Sequence, residues 1–269
     1  MKNKQKIYFI TYGSKEFNTS KKHLLNLAKL SNIFEKCIGF EQKDLTYQFK
    51  KDHKEILSED RGGGFWIWKH EIINMMIKSL NKDDLIVYCD AGTSFNYHAK
   101  NRFIEYIEMI NDSKFSNFRI ESEKQNIEKN WTTKEIFRYF DTDVDSEIGN
   151  STQFEGGHLI FKSNNDSVEY FQEYKKLLKA DLNLITDFYN NSKQIDGFQE
   201  NRHDQSIFSM LSKIRGCVSI ENETKFQNKL DDQFMYPFLS IRVRGHGMKD
   251  KFKYAVNFKN TKNTPRYFK

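Results

Sequence analysis

Five short segments near the start of the chain alternate between two hydrophobic periods, and this alternation constrains the fold more than any other feature. "KIYFITYG" (6–13), "NIFEKCIGF" (32–40) and "DLIVYCD" (84–90) are brief apolar runs suited to buried strands. Between them, "SKKHLLNLAKL" (20–30) carries apolar residues at 24, 25, 27 and 28 behind a potential cap at Ser20. "WKHEIINMMIKSL" (68–80) sets Trp68, Ile72, Ile73, Met76, Ile77 and Leu80 on one helical face. Strand, helix, strand, helix, strand predicts an α/β sheet with parallel pairs.

Farther along, "TTKEIFRYF" (132–140) and "DSVEYFQEYKKLLKA" (166–180) each offer a capping box, Thr132 with Glu135 and Asp166 with Glu169. "GGHLIFKS" (156–163) and "CVSIEN" (217–222) read as strands and "DQSIFSMLSKI" (204–214) as a helix, whereas 111–130 and 181–201 read as surface loops or irregular helices. No internal repeat occurs.

The 269 residues include only two prolines, Pro237 and Pro265, and no Gly/Ser or Pro-rich linker, so one continuous domain is expected. Charge divides the chain at residue 240. Residues 241–269 hold nine Lys/Arg against Asp250, while residues 1–240 hold 34 basic and 36 acidic side chains. The expected organisation is a body over 1–240 and a basic, aromatic extension over 241–269. Three scattered cysteines, Cys37, Cys89 and Cys217, form no CxxC, which argues against a disulfide framework or zinc site and for a reducing cytoplasm. No segment has the ~20 apolar residues of a membrane span.

Ligands of open α/β sheets gather at the carboxyl ends of strands. Thr11, Tyr12 and Asp90 stand at such ends, and Asp90 is followed by the small Ala91 and Gly92. "RGGGFWIWKH" (61–70) places three glycines between Arg61 and Lys69, where a phosphate or sugar would approach the main chain and the cations would meet a diphosphate. Asp204 opens a helix, whose dipole favours the ionised form; it reads either as an N-cap or as a carboxylate facing a cleft. "DTDVDSE" (141–147) imitates a calcium loop but has Ser146 in the glycine place.

Taken in order, "YFITYGS", "RGGGFWIWKHEII", "DLIVYCDAG", "QFEGGHLIFKSN" and "RHDQSIFSML" resemble GT-A-type nucleotide-sugar glycosyltransferases with an RGxGxWxWK…DxxxYxDAG signature, and more distantly glycosyltransferase family 8. The resemblance implies a Rossmann-type mixed sheet flanked by helices. It implies transfer of a hexose-like sugar, with retention, from a nucleotide-diphosphate donor to a hydroxyl of a glycan or lipid-linked acceptor, in capsule, surface-polysaccharide or lipooligosaccharide synthesis. By the same resemblance Thr11, Tyr12, Arg61, Lys69, Asp90 and Gly92 bind the donor, and Gly156 and Gly157 line the acceptor side. Asp204 and Gln205 lie near the anomeric carbon. Asp90 matches the first acid of a DxD motif and, with His246, is a candidate ligand for Mn or Mg; Gly92 replaces the second acid, and His246 reads first as a surface residue of the basic tail. The tail suits a peripheral position at the inner face of an anionic membrane and, equally, a segment folded back over the donor cleft with its cations closing on the diphosphate. A different class of function, a non-catalytic nucleic-acid or polyanion binder using the tail, lacks a continuous basic footprint in the body, so no nucleic-acid partner is expected.

Overall fold

The computed structural model describes residues 5–224 and 235–240. Its strands are β1 Ile7–Tyr12, β2 Lys36–Phe40, β3 Leu85–Cys89, β4 Ser94–Phe95, β5 Asn117–Ile120, β6 His158–Lys162, β7 Val218–Ile220 and β8 Phe238–Leu239. The long helices are α1 Asn18–Leu30, α2 Trp68–Ser79, α3 Lys100–Asp112, α4 Asn165–Ala180 and α5 Asp204–Arg215. Six strands form one sheet in the order β2-β1-β3-β6-β5-β7, and β4 pairs with β8. β1 runs parallel to β2 and β3, and β5 to β7, while β6 is antiparallel to both of its neighbours. The architecture is a mixed α/β sheet flanked by helices.

Both faces of this sheet are covered, and the alternation of side chains shows how. Tyr8, Ile10, Tyr12, Ile86, Tyr88, Leu159 and Phe161 join α2, α4 and α5 in one core. Phe9, Leu85, Val87, Cys89, Phe118, Ile120 and Ile160 join α1 and α3 in the other. A strand buried on both faces needs a continuous apolar run, which is why "LIVYC" carries no polar residue.

Several local expectations are corrected. Ser20 lies inside α1 and donates to Phe17 O, so it is not the cap. Asn164, not Asp166, caps α4 by accepting from Ser167 N. Thr132 and Glu135 form no capping box: Thr132 donates to Glu128, and Glu135 accepts from Gln194. The expected loop 111–130 contains β5, and 100–112 forms α3.

Residues 62–66 hold the least ordinary backbone. Gly62, Gly63, Gly64, Phe65 and Trp66 all have positive φ, and Phe65 N donates to Arg61 O four residues back. This is a left-handed turn, which costs an L-residue ~1–2 kcal/mol per position and glycine much less. Gly64 is further constrained, since a Cβ there would lie 2.7 Å from Ile56 O. The three glycines therefore serve this turn and the approach of the chain to Ile56.

Candidate active site

The left-handed turn delivers the chain into α2 with Trp68 and Lys69 in its first turn. Trp68 stacks on Tyr12, with ring centroids 3.7 Å apart, and donates from Nε1 to Gly62 O. Lys69 points under the carboxyl end of β3, where its ammonium is almost wholly buried. Its Nζ lies 3.1 Å from Asp90 Oδ1, 2.5 Å from Asp204 Oδ2 and 2.9 Å from Gly156 O. The ammonium donates to Gly156 O and lies in ion-pair range of both carboxylates, so oxygens from three separate segments surround it.

Topology brings those segments together. Cys89 pairs with His158, so the chain entering antiparallel β6 passes beside the residue leaving β3. Asp90 N donates to Gly157 O at 2.9 Å, and α5 begins at Asp204 on the same edge. A Cβ on Gly156 would sit 2.8 Å from Gln205 Cβ, and one on Gly157 3.4 Å from Asp90 Oδ2. The glycines keep this cleft passable by backbone.

The two carboxylates differ in environment. Asp90 has a side chain 33% exposed and accepts from the Tyr88 hydroxyl at 2.5 Å. Asp204 is buried, and that burial pushes its pKa up to about 6, against the opposing pull of Lys69 and with a further push from Asp90. Burial disfavours the charge of Lys69, yet the two carboxylates outweigh it and hold its pKa above the ordinary value. A helix dipole alone would have kept Asp204 in the usual acid range; desolvation is the larger effect here. Asp204 is also not the N-cap, because His203 occupies that position and no side chain caps the helix.

Asp90, Gly156, Gly157, Lys69, Asp204 and Gln205 converge in one cluster. Gly92 follows in the turn after Asp90, where Thr93 N and Oγ1 both donate to Asp90 O. Thr11 is fully enclosed in β1, and Tyr12 has one ring face covered by Trp68. Neither side chain has the open surface expected for flanking a base. Arg61 is paired with Asp187 at 2.9 Å and Glu200 at 3.3 Å, and through Asp187 it neighbours His203. Lys69, buried and ion-paired with two carboxylates, differs from the free cation expected for a diphosphate. His246 lies outside the described residues.

Tyr88, Gln153 and His203 belong to the site without having been singled out. Tyr88 stands two residues before Asp90, so strand alternation puts both on one face. His203 adopts φ 56°, ψ −121°, packs on Phe65 and Trp66, and contacts Asp187 through Nε2. Such backbone strain in a non-glycine residue concentrates at functional sites. For a divalent ion, no group of three or more His, Cys, Asp or Glu comes together among the described residues. Asp90 Oδ1 is engaged by Tyr88 and Lys69, which leaves Oδ2 as the oxygen this carboxylate could give to an ion held mainly by diphosphate and water.

No protein-family model matches the sequence, and no curated protein does. Among solved structures, the chain is similar to a glycosyltransferase involved in glycosylation of the major capsid of PBCV-1, with TM-score 0.52 and 10% identity over 93% of this chain and 100% of that one. It is also similar to mouse xyloside xylosyltransferase 1, at TM-score 0.45 and 11% identity over 90% of this chain and 94% of that one. The galactosyltransferase LgtC, in complex with donor and acceptor sugar analogs, gives TM-score 0.41 and 11% identity over 81% and 75%. The fold is that of GT-A glycosyltransferases.

Proposed function

We propose that the protein is a glycosyltransferase that moves a hexose-like sugar from a nucleotide-diphosphate donor to a hydroxyl of a glycan or lipid-linked acceptor. The observation carrying this reading is the convergence of Asp90, Asp204 and Gly156 on one buried ammonium, at the strand ends where such sheets collect ligands. Asp90, beside the backbone turn through Gly92, meets the donor. Asp204 and Gln205 flank the sugar, and Gly156 and Gly157 leave room for the acceptor.

In the proposed step the bond between the anomeric carbon and the diphosphate oxygen breaks, and the diphosphate leaves with the electron pair. Positive charge grows on the sugar ring, where an ionised Asp204 stabilises it. The acceptor oxygen forms the new bond on the vacated face, with retention, and its proton passes to the departing phosphate oxygen. Lys69 acts through the two carboxylates, keeping Asp204 ionised at neutral pH and fixing Asp90 beside it.

Among the described residues no helix is long and apolar enough to cross a membrane. The nine cations of residues 241–269 suit the cytoplasmic face of an anionic membrane, where a lipid-linked acceptor of surface-polysaccharide synthesis resides. The body 1–240 is then the catalytic unit and 241–269 its extension. A thermal-shift screen against UDP- and GDP-sugars, with and without manganese, followed by nucleotide-release assays on the hits, tests the reading. A nucleotide sugar that stabilises the protein and is consumed supports it. A protein that responds to none of them, and binds RNA through 241–269 instead, contradicts it.

A further inference from the structure

Gln153 lies beneath the cluster, fully buried, in the segment that leads to Gly156. Its main chain is fixed at both ends, N donating to Asn126 O and O accepting from Ser122 N, each at 2.8 Å. The direction of its side-chain amide follows from the chemistry of its neighbours. On one side, Nε2 faces Glu128 Oε1 at 3.1 Å and the main-chain oxygen of Trp131 at 3.3 Å, both of which only accept. The Thr132 hydroxyl, 3.1 Å away, gives its own proton to Glu128 and so also accepts from Gln153. The Ser206 hydroxyl behaves alike, donating to Trp131 O. On the other side, Gln153 Oε1 faces the Arg202 guanidinium, which only donates. Flipping the Gln153 amide would set oxygen against oxygen and N–H against N–H.

With Gln153 locked, Gln205 has a single choice. It meets Gln153 Oε1 at 2.8 Å and must present Nε2 there. Its own Oε1 is left without a hydrogen-bond partner among the described residues, on the first turn of α5 beside Asp204 and over Gly156. We infer that Gln153 is a positioning residue that fixes the Gln205 amide, so that the site offers a carbonyl oxygen and not an N–H at that point. Resting on the glycosyltransferase reading, this defines the chemistry Gln205 accepts: a sugar hydroxyl that donates, or positive charge on the ring. A hydrogen-bond acceptor such as a phosphate oxygen is disfavoured there.

Two measurements test it. The first follows the side-chain amide 15N–1H resonances of Gln205 by NMR, identified by their loss in Gln205→Ala. The proton bonded to Gln153 is expected to be shifted and slow to exchange, and to move to the free-amide position in Gln153→Met. Unchanged Gln205 resonances in Gln153→Met overturn the inference, whatever reaction the protein catalyses. The second is a kinetic cycle on nucleotide-sugar consumption. Gln153→Met is expected to lower kcat about tenfold or more with donor KM changed less than about twofold, and to cost nothing further once Gln205→Ala is present. Independent, multiplying losses overturn it. Should Gln153→Met not fold, Gln205→Glu replaces it: a carboxylate meets the locked Gln153 oxygen unfavourably, so this variant is expected to be as impaired as Gln205→Ala. Activity of Gln205→Glu at the wild-type level overturns the inference. A wild-type protein that consumes no nucleotide sugar contradicts the functional reading, and the NMR result alone then decides the amide geometry.

Discussion

Replacing Lys69 by Met removes the one ammonium between Asp90 and Asp204 while keeping length and apolar stem. The loss of one member of a buried ion pair typically costs ~3–5 kcal/mol, and here it uncovers a carboxylate whose side chain is only 6% exposed. The pH dependence gives a sharper signature. The folded pKa of Asp204, about 6, lies above the unfolded value of ~3.9. The native state therefore binds this proton more tightly than the unfolded chain. Ionisation of Asp204 destabilises fully above pH 6, and the penalty fades as pH falls through 6 toward 4. At pH 7 the wild type lies one unit above the pKa, so protonating Asp204 costs about 1.4 kcal/mol. Without Lys69, burial and Asp90 push Asp204 upward with their main opponent gone, so its pKa in the variant lies above the wild-type value. On acidification the variant thus gains on the wild type between pH 7 and 5, by up to about 1.4 kcal/mol. Urea unfolding of both proteins at the two pH values provides the assay. A difference below about 1 kcal/mol at pH 7, or one identical at both pH values, refutes the bridging role.

Asp204→Asn should leave donor binding nearly unchanged and lower turnover by orders of magnitude; kcat of the wild type should fall as pH drops through about 6, and a flat profile down to pH 5 argues against an ionised Asp204 in the step. Gly64→Ala should destabilise by about 2 kcal/mol or more, because φ is +95° and the new methyl meets Ile56 O at 2.7 Å; an unchanged Tm contradicts the left-handed turn. Full-length protein should sediment with anionic vesicles at low salt and be released by high salt, whereas a chain ending at residue 240 should not sediment. Full-length protein that stays in the supernatant at low salt removes the membrane role of 241–269.

The sheet was legible where strand and helix signals were pure. β1, β3 and β6 are apolar runs, and α2, α4 and α5 show helical spacing, so their types and order could be read directly. β5 was concealed by Arg119, a charge in the middle of a buried strand. In the fold it is fully buried, with its guanidinium over the rings of Phe161, Tyr170 and Phe208 and bonded to Ser212 and Tyr170. α3 did carry its signal, since Phe103, Tyr106, Ile107 and Ile110 recur at helical period and are all buried. For the site, Asp90, Asp204 and the two glycines were visible as residue types at element ends. The role of Lys69 was not, because a lysine read from sequence looks free, and only β3, β6 and α5 meeting at one edge surround its ammonium with two carboxylates and a carbonyl. Gln153 precedes the glycine pair in "QFEGG" and stayed unnoticed for a similar reason: its function depends on acceptors contributed by Glu128, Trp131 and Thr132.

The most direct test of the account compares donor-dependent nucleotide release by the wild type and by Asp90→Asn, each first checked for unchanged Tm and circular dichroism. Asn keeps the shape of the side chain and removes its charge at the cleft. Loss of one preorganised electrostatic interaction corresponds to ~2.7–4 kcal/mol, or roughly 10²–10³ in turnover. The expected result is release from at least one UDP- or GDP-sugar by the wild type and a drop of that size in the folded variant. Equal release by both proteins, or none by the wild type from any nucleotide sugar, contradicts the assignment of this cluster as a glycosyl-transfer site.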